Sequence, residues 1–326
     1  MVLRSVGLCT LAVMTALGGC RGQAPLAPPD DQCVTVPRDS LRMARHEDPS
    51  WSIRGMIAYQ DRGIICFYDD GGYLPDPELA GLWILNPATQ ERLRILPGGE
   101  LPSWSPDGSK VVVTLGQLFI FNIDDSSLTR IPGSGSHFFP SWSPNGEWIA
   151  YDDGWDIWIV RTDGSDARNL GHVSGPSGSR FPSWSPDGAQ IVHVRYTDVS
   201  PYSEIFVMNT DGTGVARLTH NQTDDLHPVF SPDGHWIAYT GHLLSTDRHP
   251  QVWIMEADGS NPKRLTINGG VHPSWSPDGQ QLVFSRLNLP CGESEFGVLW
   301  TVDVKSGAES QLTRPWPQRC DGASID

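Results

Sequence analysis

Short apolar runs separated by turn residues repeat along most of the chain. One unit contains Trp-Ile-Ala-Tyr at residues 148–151, Ile-Trp-Ile-Val at residues 157–160 and an Asp-Gly pair at residues 163–164. Short runs rich in β-branched and aromatic residues predict buried strands. An Asp-Gly pair between such runs predicts a hairpin turn, because glycine adopts a positive φ without steric cost. The pattern therefore predicts an all-β chain.

One phrase opens each unit and defines the repeat. Pro-Ser-Trp-Ser-Pro-Asp-Gly or a close variant of it occurs at residues 102–108, 140–146, 182–188, 228–234 and 273–279. A shorter first copy, Pro-Ser-Trp-Ser at residues 49–52, lacks the Pro-Asp-Gly. Six copies spaced roughly 40–50 residues apart, each followed by further strand and turn signals, predict a six-bladed β-propeller with four antiparallel strands per blade.

The two most regular residues of the phrase have structural interpretations. The aromatic residue, Trp184 for example, is expected to pack between neighbouring blades, since aromatic side chains bury the largest areas. The aspartate, Asp187 in the same copy, is expected to serve the turn, because proline presets the first corner and glycine closes it. Neither residue is predicted to bind a ligand.

The repeated phrase, with its downstream Asp-Gly and Leu-Thr, resembles the WD40-like repeat of TolB-type β-propellers. The resemblance extends from about residue 48 to residue 313 and implies the propeller fold. Related peptidases join such propellers to a serine hydrolase domain, but this chain contains no Gly-x-Ser-x-Gly elbow.

The first 20 residues predict an export signal. Arg4 precedes an apolar run over residues 6–17, which is too short to span a bilayer as a mature helix. Leu17-Gly18-Gly19-Cys20 resembles a bacterial lipobox, in which Cys20 is lipidated; an ordinary secretory signal is the alternative. The expected organisation is a lipoprotein signal peptide at 1–20, a tether at 21–45, the propeller at 46–314 and a tail at 315–326. We expect an exported lipoprotein that faces the periplasm or the cell surface and contacts the membrane only through its lipid.

Four further cysteines remain after the signal segment and the lipobox: Cys33, Cys66, Cys291 and Cys320. An even number in an exported chain predicts two disulfides, with three pairings open. Pairing within each blade, Cys33 with Cys66 and Cys291 with Cys320, requires the least chain travel. The crosswise alternatives would join the first blade to the last.

Charge excludes one class of partner. The formal net charge is -15, from 23 Lys+Arg and 38 Asp+Glu. Nucleic-acid binding depends mainly on clustered lysine and arginine, so a nucleic-acid partner is not expected. The acidity is typical of a solvated, monomeric surface.

The strand order predicts where a ligand would bind. The Pro-Asp-Gly turns fall on one face of the disc, and the loops between second and third strands fall on the other, where long loops concentrate. Residues that precede each Pro-Ser-Trp phrase should ring the channel mouth on this second face. The predicted ligand-binding residues are Asp48, Glu100, His137, Phe139, Arg180, Phe181, His227 and His272.

These residues favour binding over catalysis. No His-x-x-x-His or His-Glu-x-x-His spacing occurs, so neither a zinc site nor another cofactor is predicted, while a cation in the channel stays open. We expect a non-catalytic protein that binds an envelope protein or peptide. The alternatives are a propeller lyase or glycan hydrolase with its site at the channel mouth, and a passive scaffold of a surface assembly. A deep pocket with convergent ionisable residues would favour the enzyme; a shallow aromatic funnel would favour binding.

Overall fold

The computed structural model describes residues 46–61, 64–67, 73–75, 80–132, 138–171, 178–197, 200–241, 249–287 and 297–313. The described chain forms six four-stranded antiparallel sheets and one two-stranded hairpin, and it contains no helix. The prediction of a six-bladed, all-β propeller is confirmed. Among these residues there is accordingly no helix long and apolar enough to cross a membrane.

The first three blades occupy the amino-terminal half of the ring. Their strands are β1 (His46–Trp51), β2 (Ile57–Asp61), β3 (Ile64–Phe67), β4 (Tyr73–Pro75), β5 (Gly81–Leu85), β6 (Arg92–Pro97), β7 (Glu100–Trp104), β8 (Lys110–Thr114), β9 (Leu118–Asn122), β10 (Leu128–Arg130), β11 (Phe138–Trp142), β12 (Trp148–Asp152), β13 (Ile157–Arg161) and β14 (Arg168–Asn169). Blade 1 is β1-β2-β5-β6, blade 2 is β7–β10 and blade 3 is β11–β14, while β3 and β4 pair as the separate hairpin.

The other three blades repeat the same order. Their strands are β15 (Ser179–Trp184), β16 (Gln190–Thr197), β17 (Ser200–Asn209), β18 (Ala216–Arg217), β19 (Asp225–Phe230), β20 (Trp236–Gly241), β21 (Gln251–Glu256), β22 (Lys263–Arg264), β23 (Val271–Trp275), β24 (Gln281–Leu287), β25 (Gly297–Asp303) and β26 (Glu309–Gln311). Blade 4 is β15–β18, blade 5 is β19–β22 and blade 6 is β23–β26.

The hydrophobic core lies between blades rather than inside them. Each of six buried clusters combines side chains of two neighbouring blades. At the seam between the last and first blades, Val283 and Leu299 pack with Ile57 and Tyr59. All described strands of blades 1 and 6 come from their own stretch of chain. The ring is therefore closed at the seam by side-chain packing rather than by an exchanged strand.

The repeated tryptophans lie at these interfaces, as predicted. Trp104, Trp184 and Trp275 are between 5% and 9% exposed. Their indole N–H groups donate to backbone oxygens of the preceding blade's inner strand at 3.0–3.1 Å. Trp142 is equally buried, but its indole donates to the Gly146 oxygen of its own turn. The aromatic side chain thus fills the interface, and in three blades its polar atom also joins the two blades.

The Pro-Asp-Gly phrase forms a turn stabilised by serine and aspartate. In blade 2, the Ser105 hydroxyl donates to Asp107 Oδ1 at 2.6 Å, and the Ser109 N–H donates to the same oxygen at 3.0 Å. These hydrogen bonds lower the pKa of Asp107 to about 2. In blade 3, Asn145 accepts the equivalent bond from Ser143 at 2.7 Å. An amide can therefore replace the carboxylate in this turn.

The Leu-Thr pair that ends several units has a role that the sequence did not reveal. Thr219, Thr266 and Thr313 are at most 7% exposed. Each hydroxyl oxygen accepts a hydrogen bond from a backbone N–H of the third strand in its own blade, at 2.8–2.9 Å. Threonine supplies a compact hydroxyl that satisfies this buried donor where the fourth strand has already ended. The threonine therefore links the third strand to the segment of chain that follows the fourth strand.

The two disulfides stay a prediction. Cys66 lies in β3, whereas Cys33, Cys291 and Cys320 lie outside the described residues, as does Cys20.

One buried carboxyl makes the stability of the ring depend on pH. Asp225 begins the inner strand of blade 5 and is 1% exposed. Burial, with the charges of Glu204 and Asp224 nearby, raises the pKa of Asp225 to about 7, although a hydrogen bond from Asn221 at 2.7 Å opposes the shift. Between the ordinary carboxyl pKa and this value the folded chain binds more protons than the unfolded chain, so this group makes stability fall as pH rises.

We expect Asp225→Asn to be more stable than wild type at about pH 8 and to lose that advantage at about pH 5. The amide keeps an oxygen for Asn221 but carries no charge that must be buried. Urea unfolding of both proteins at the two pH values measures the difference. An identical difference at both pH values would contradict the assignment.

Candidate functional site

Six non-glycine residues with positive φ lie at equivalent positions of the six inner strands. They are Asp48, Leu101, Phe139, Phe181, His227 and His272, with φ between 49° and 56°. Each precedes a proline, and each lies where the pairing between first and second strands shifts register. Proline disfavours the right-handed helical region for the residue before it, and a bulge redirects the side chain. Left-handed backbone at a non-glycine residue costs energy and often occurs at functional sites.

The bulges bring five of these side chains into one arc of contacts. The ring centroids of Phe139 and Phe181 are 4.3 Å apart, and those of Phe181 and His227 are also 4.3 Å apart. The rings of His227 and His272 are 3.8 Å apart, and Nδ1 of His272 contacts Oδ1 of Asp48. The last contact joins blade 6 to blade 1 across the seam. The arc therefore runs from blade 3 around the ring to blade 1.

The arc and Leu101 surround a shallow cavity at the channel mouth. The cavity measures about 160 Å³ and is lined by the six residues together with the Pro and Ser or Val residues that follow them. It is smaller than the roughly 300–1,000 Å³ of most small-molecule pockets. The Phe139 and His227 centroids are 5.9 Å apart, so side chains of non-adjacent blades nearly meet across the mouth. The site therefore has the form of a lined depression.

The mouth has two chemically different halves. Leu101, Phe139 and Phe181, from blades 2 to 4, form an apolar half. His227, His272 and Asp48, from blades 5, 6 and 1, form an ionisable half. The Asp48 and His272 side chains are 11% and 24% exposed, so their contact is partly shielded from water. The mouth can therefore accept an apolar group on one side and a polar or charged group on the other.

Buried polar side chains of the preceding blade hold two of the bulges. The Phe181 N–H donates to Asp152 Oδ2 at 3.1 Å, and the His272 N–H donates to Thr240 Oγ1 at 3.1 Å. Burial raises the pKa of Asp152 to about 6, despite its hydrogen bonds from Phe181 and Gly154. These contacts fix the backbone that aims Phe181 and His272 into the mouth.

The structure places five of the eight predicted binding residues at the mouth and does not place the other three there. Asp48, Phe139, Phe181, His227 and His272 line the mouth, as does Leu101. The Arg180 guanidinium lies beside the mouth and donates to the Gly154 oxygen at 3.2 Å. Glu100 is exposed and is not among the residues lining the cavity. His137 lies outside the described residues.

Sequence analysis missed one prominent residue on this face. Trp155 lies in the short loop between β12 and β13 and is 63% exposed. Binding residues were expected in the long loops, many of whose residues lie outside the described ranges. The available signal was a tryptophan placed in a polar turn instead of a strand.

Within the described ranges, no group of three or more His, Cys, Asp or Glu side chains is arranged to hold a metal ion. The Asp48–His272 contact therefore stands as a pair. The chemistry that the described mouth offers consists of aromatic and aliphatic contact, imidazole hydrogen bonding and one carboxylate.

Comparisons with known proteins agree with this architecture. The chain is 30% identical over 113 residues to the Tol-Pal system protein TolB of Desulfosudis oleivorans, a match covering 35% of this chain and 24% of that protein. Matches to curated relatives cover between 11% and 27% of each relative's length.

Solved structures show the same fold. A structure described as a TolB from Agrobacterium tumefaciens superposes with a TM-score of 0.62 at 24% identity, covering 71% of this chain and 87% of that one. TolB from Acinetobacter baumannii gives 0.59 at 19% identity, covering 98% and 71%. An oligogalacturonate lyase in complex with manganese gives 0.55 at 13% identity, covering 83% and 78%.

The family comparison is more specific than these superpositions. The family model described as "TolB beta propeller domain" matches residues 140–317, which is more than half of the 326 residues. Together with the six four-stranded blades, this match shows that the chain belongs to the TolB β-propeller domain family.

Proposed function

We propose that this chain is a non-catalytic binding protein of the bacterial cell envelope, and that its channel mouth binds an extended segment of a partner protein. The observation that carries the proposal is the convergence of six side chains, one from each blade, on strained backbone at the mouth. Strained backbone at six equivalent positions lowers stability, so we attribute it to a role of these side chains in binding.

The form of the mouth supports binding of a protein segment. A shallow depression with aromatic and imidazole walls offers contact area without enclosing a small molecule. The ring-to-ring contacts hold the side chains in place before binding, and the hydrogen bonds that the Phe181 and His272 N–H groups donate to Asp152 and Thr240 hold their backbone, which reduces the entropy lost on association. Similarity to the Tol-Pal system protein TolB is consistent with an envelope partner.

An enzymatic function is the second candidate, and the Asp48–His272 pair is the observation that favours it. A carboxylate in contact with an imidazole is a common acid–base arrangement. A propeller lyase shares the fold at low identity, which supports the architecture alone. Binding is favoured because the pair belongs to a small open depression that does not enclose a substrate.

Export and lipid anchoring are part of the proposal. We expect Cys20→Ser to abolish membrane anchoring while the propeller stays folded, because Cys20 precedes a Pro-rich segment without strand signals. Fractionation followed by mass spectrometry of the amino-terminal peptide measures both anchoring and lipid. A Cys20→Ser variant that remained lipid-modified in the membrane fraction would refute the lipobox.

Affinity capture from solubilised membranes tests binding at the mouth. Phe181→Ala removes a central mouth side chain, and Ile53→Ala is the matched control, because Ile53 is 61% exposed on the opposite face near the repeated turns. We expect wild type and the control to enrich the same envelope proteins, and Phe181→Ala to reduce that enrichment at least about tenfold. Equal enrichment by Phe181→Ala, with an unchanged melting temperature, would contradict binding at the mouth.

A further inference from the structure

We propose that the partner segment continues from the mouth across an aromatic sector formed by Phe138, Trp155, Arg180 and Tyr196, and that this segment carries an acidic residue beside apolar residues. The inference rests on the proposed function, because the sector extends the same binding face. It adds the location of a second contact region and the chemistry of the partner.

The exposed aromatic residues of the described chain are concentrated in this sector. Among the residues that the structure describes, three aromatic side chains are exposed: Phe138 at 42%, Trp155 at 63% and Tyr196 at 37%. All three belong to blades 3 and 4: Phe138 and Tyr196 lie at the mouth end of their strands, and Trp155 lies in the loop that joins β12 to β13 at the same end. Random exposure would distribute them around the ring and over both faces. Clustered exposed aromatic groups are typical of interaction sites.

Backbone hydrogen bonds make the sector continuous. The Ser179 N–H donates to the Trp155 oxygen at 2.6 Å, and the Tyr196 N–H donates to the Gly178 oxygen at 3.0 Å. These bonds join the loop of blade 3 to the first two strands of blade 4. Phe138 directly precedes the mouth residue Phe139. The sector and the mouth therefore form one surface.

Trp155 is held on a rigid turn. The Gly154 N–H donates to Asp152 Oδ1 at 3.1 Å, and the N–H groups of Trp155 and Asp156 donate to Asp153 Oδ1 at 2.9 and 2.8 Å. Three consecutive backbone donors are thus satisfied by two carboxylates. A large apolar side chain on such a turn is positioned for contact before a partner arrives, as expected of an interface anchor.

Charge identifies the kind of partner. The Arg180 guanidinium lies between the Trp155 loop and Tyr196. Its Nη2 is 3.2 Å from the Gly154 oxygen, and its Cζ is 5.9 Å from the Tyr196 ring centroid. The neighbouring Asp153 uses its second oxygen to accept from the Trp158 indole at 2.9 Å. The nearby Asp152 and Asp153 thus accept hydrogen bonds from the protein's own N–H donors, and the Arg180 charge also acts on Asp152, whose pKa it lowers against the larger effect of burial. An arginine among exposed aromatic groups complements a carboxylate flanked by apolar side chains.

A library of random linear 12-residue peptides displayed on phage tests the inference with the intact chain. Selection is carried out on immobilised wild-type protein, and the enriched peptides are then synthesised. Their affinities are measured for wild type, Trp155→Ala, Arg180→Gln, the mouth variant Phe181→Ala and the control Ile267→Ala. Ile267 is 69% exposed and lies in the connection between blades 5 and 6, outside the sector. The melting temperature of each variant serves as the folding control.

We expect the enriched peptides to contain an acidic residue beside aromatic or aliphatic residues, and to bind Trp155→Ala at least about tenfold more weakly than wild type. Arg180→Gln should bind the acidic peptides more weakly than wild type does, and should bind their Asp→Asn or Glu→Gln analogues as wild type does. Ile267→Ala should bind all the peptides with wild-type affinity.

The other outcomes separate this inference from the proposed function. Peptides weakened by Phe181→Ala and unaffected by Trp155→Ala would overturn the sector and retain the mouth. Peptides that bind both variants as tightly as wild type, or no enrichment of peptides at all, would overturn the sector and the mouth together. Binding of chitohexaose that depends on Trp155, without peptide enrichment, would identify the sector as a glycan surface and overturn the proposal.

Discussion

Replacing Trp184 with alanine is expected to lower the free energy of unfolding by about 3–5 kcal/mol. Trp184 is 9% exposed and packs with Ile157 and Ile159 of blade 3 as well as Ile191 of blade 4. Its indole N–H also donates to the Ser141 oxygen of blade 3 at 3.1 Å. The substitution removes apolar contacts from both blades and leaves that oxygen without its donor. Chemical denaturation measures the loss.

Asp187→Asn is the matched control within the same repeat. Asp187 accepts from the Ser185 hydroxyl at 2.5 Å and from the Ala189 N–H at 3.0 Å, and an asparagine oxygen can accept both. Asn145 already does so in blade 3. The expected cost is below about 1 kcal/mol. Equal losses for the two variants would show that the tryptophan does not stabilise the interface as described.

Arg217→Met is expected to destabilise the chain by about 3 kcal/mol. Glu204 is fully buried, and Arg217 donates to its Oε1 at 2.5 Å, while the Thr219 hydroxyl donates to its Oε2 at 2.7 Å. Removing the arginine leaves a buried carboxylate without its counter-charge. Denaturant unfolding near neutral pH measures this effect.

The double variant Glu204→Gln/Arg217→Met is expected to recover a large part of that loss. Blade 5 provides the internal precedent, because Gln251 occupies the equivalent position at 2% exposure and accepts from Thr266 at 2.9 Å. A neutral amide thus satisfies the same threonine without a buried charge. Strictly additive losses in the double variant would show that the two side chains are not coupled.

The fold was predictable because the same local signals occur in every unit. The Pro-Asp-Gly turn and the aromatic residue before it recur with a spacing that only a ring of four-stranded blades explains. The inter-blade position of Trp184 followed from its size. The hydrogen bond that Thr219 accepts was not predictable, because its donor is a backbone N–H that comes close only in the folded blade.

The candidate site was predictable in position and less so in geometry. Residues before each Pro-Ser-Trp phrase were expected at the mouth, and His272 and Phe181 lie there. Their positive φ was not predictable, since left-handed backbone at these non-glycine residues accompanies a register shift between paired strands. Trp155 was overlooked because its loop is short, and exposure depends on what surrounds the loop.

Photo-crosslinking in living cells tests whether the channel mouth binds a partner protein. A benzoylphenylalanine placed at Phe139 replaces one aromatic mouth residue with another, and the same group at Ile53 reports on the opposite face. We expect a discrete crosslinked envelope protein from position 139 and none from position 53. Crosslinks of equal yield from both positions, or from position 53 alone, would contradict a partner-binding mouth.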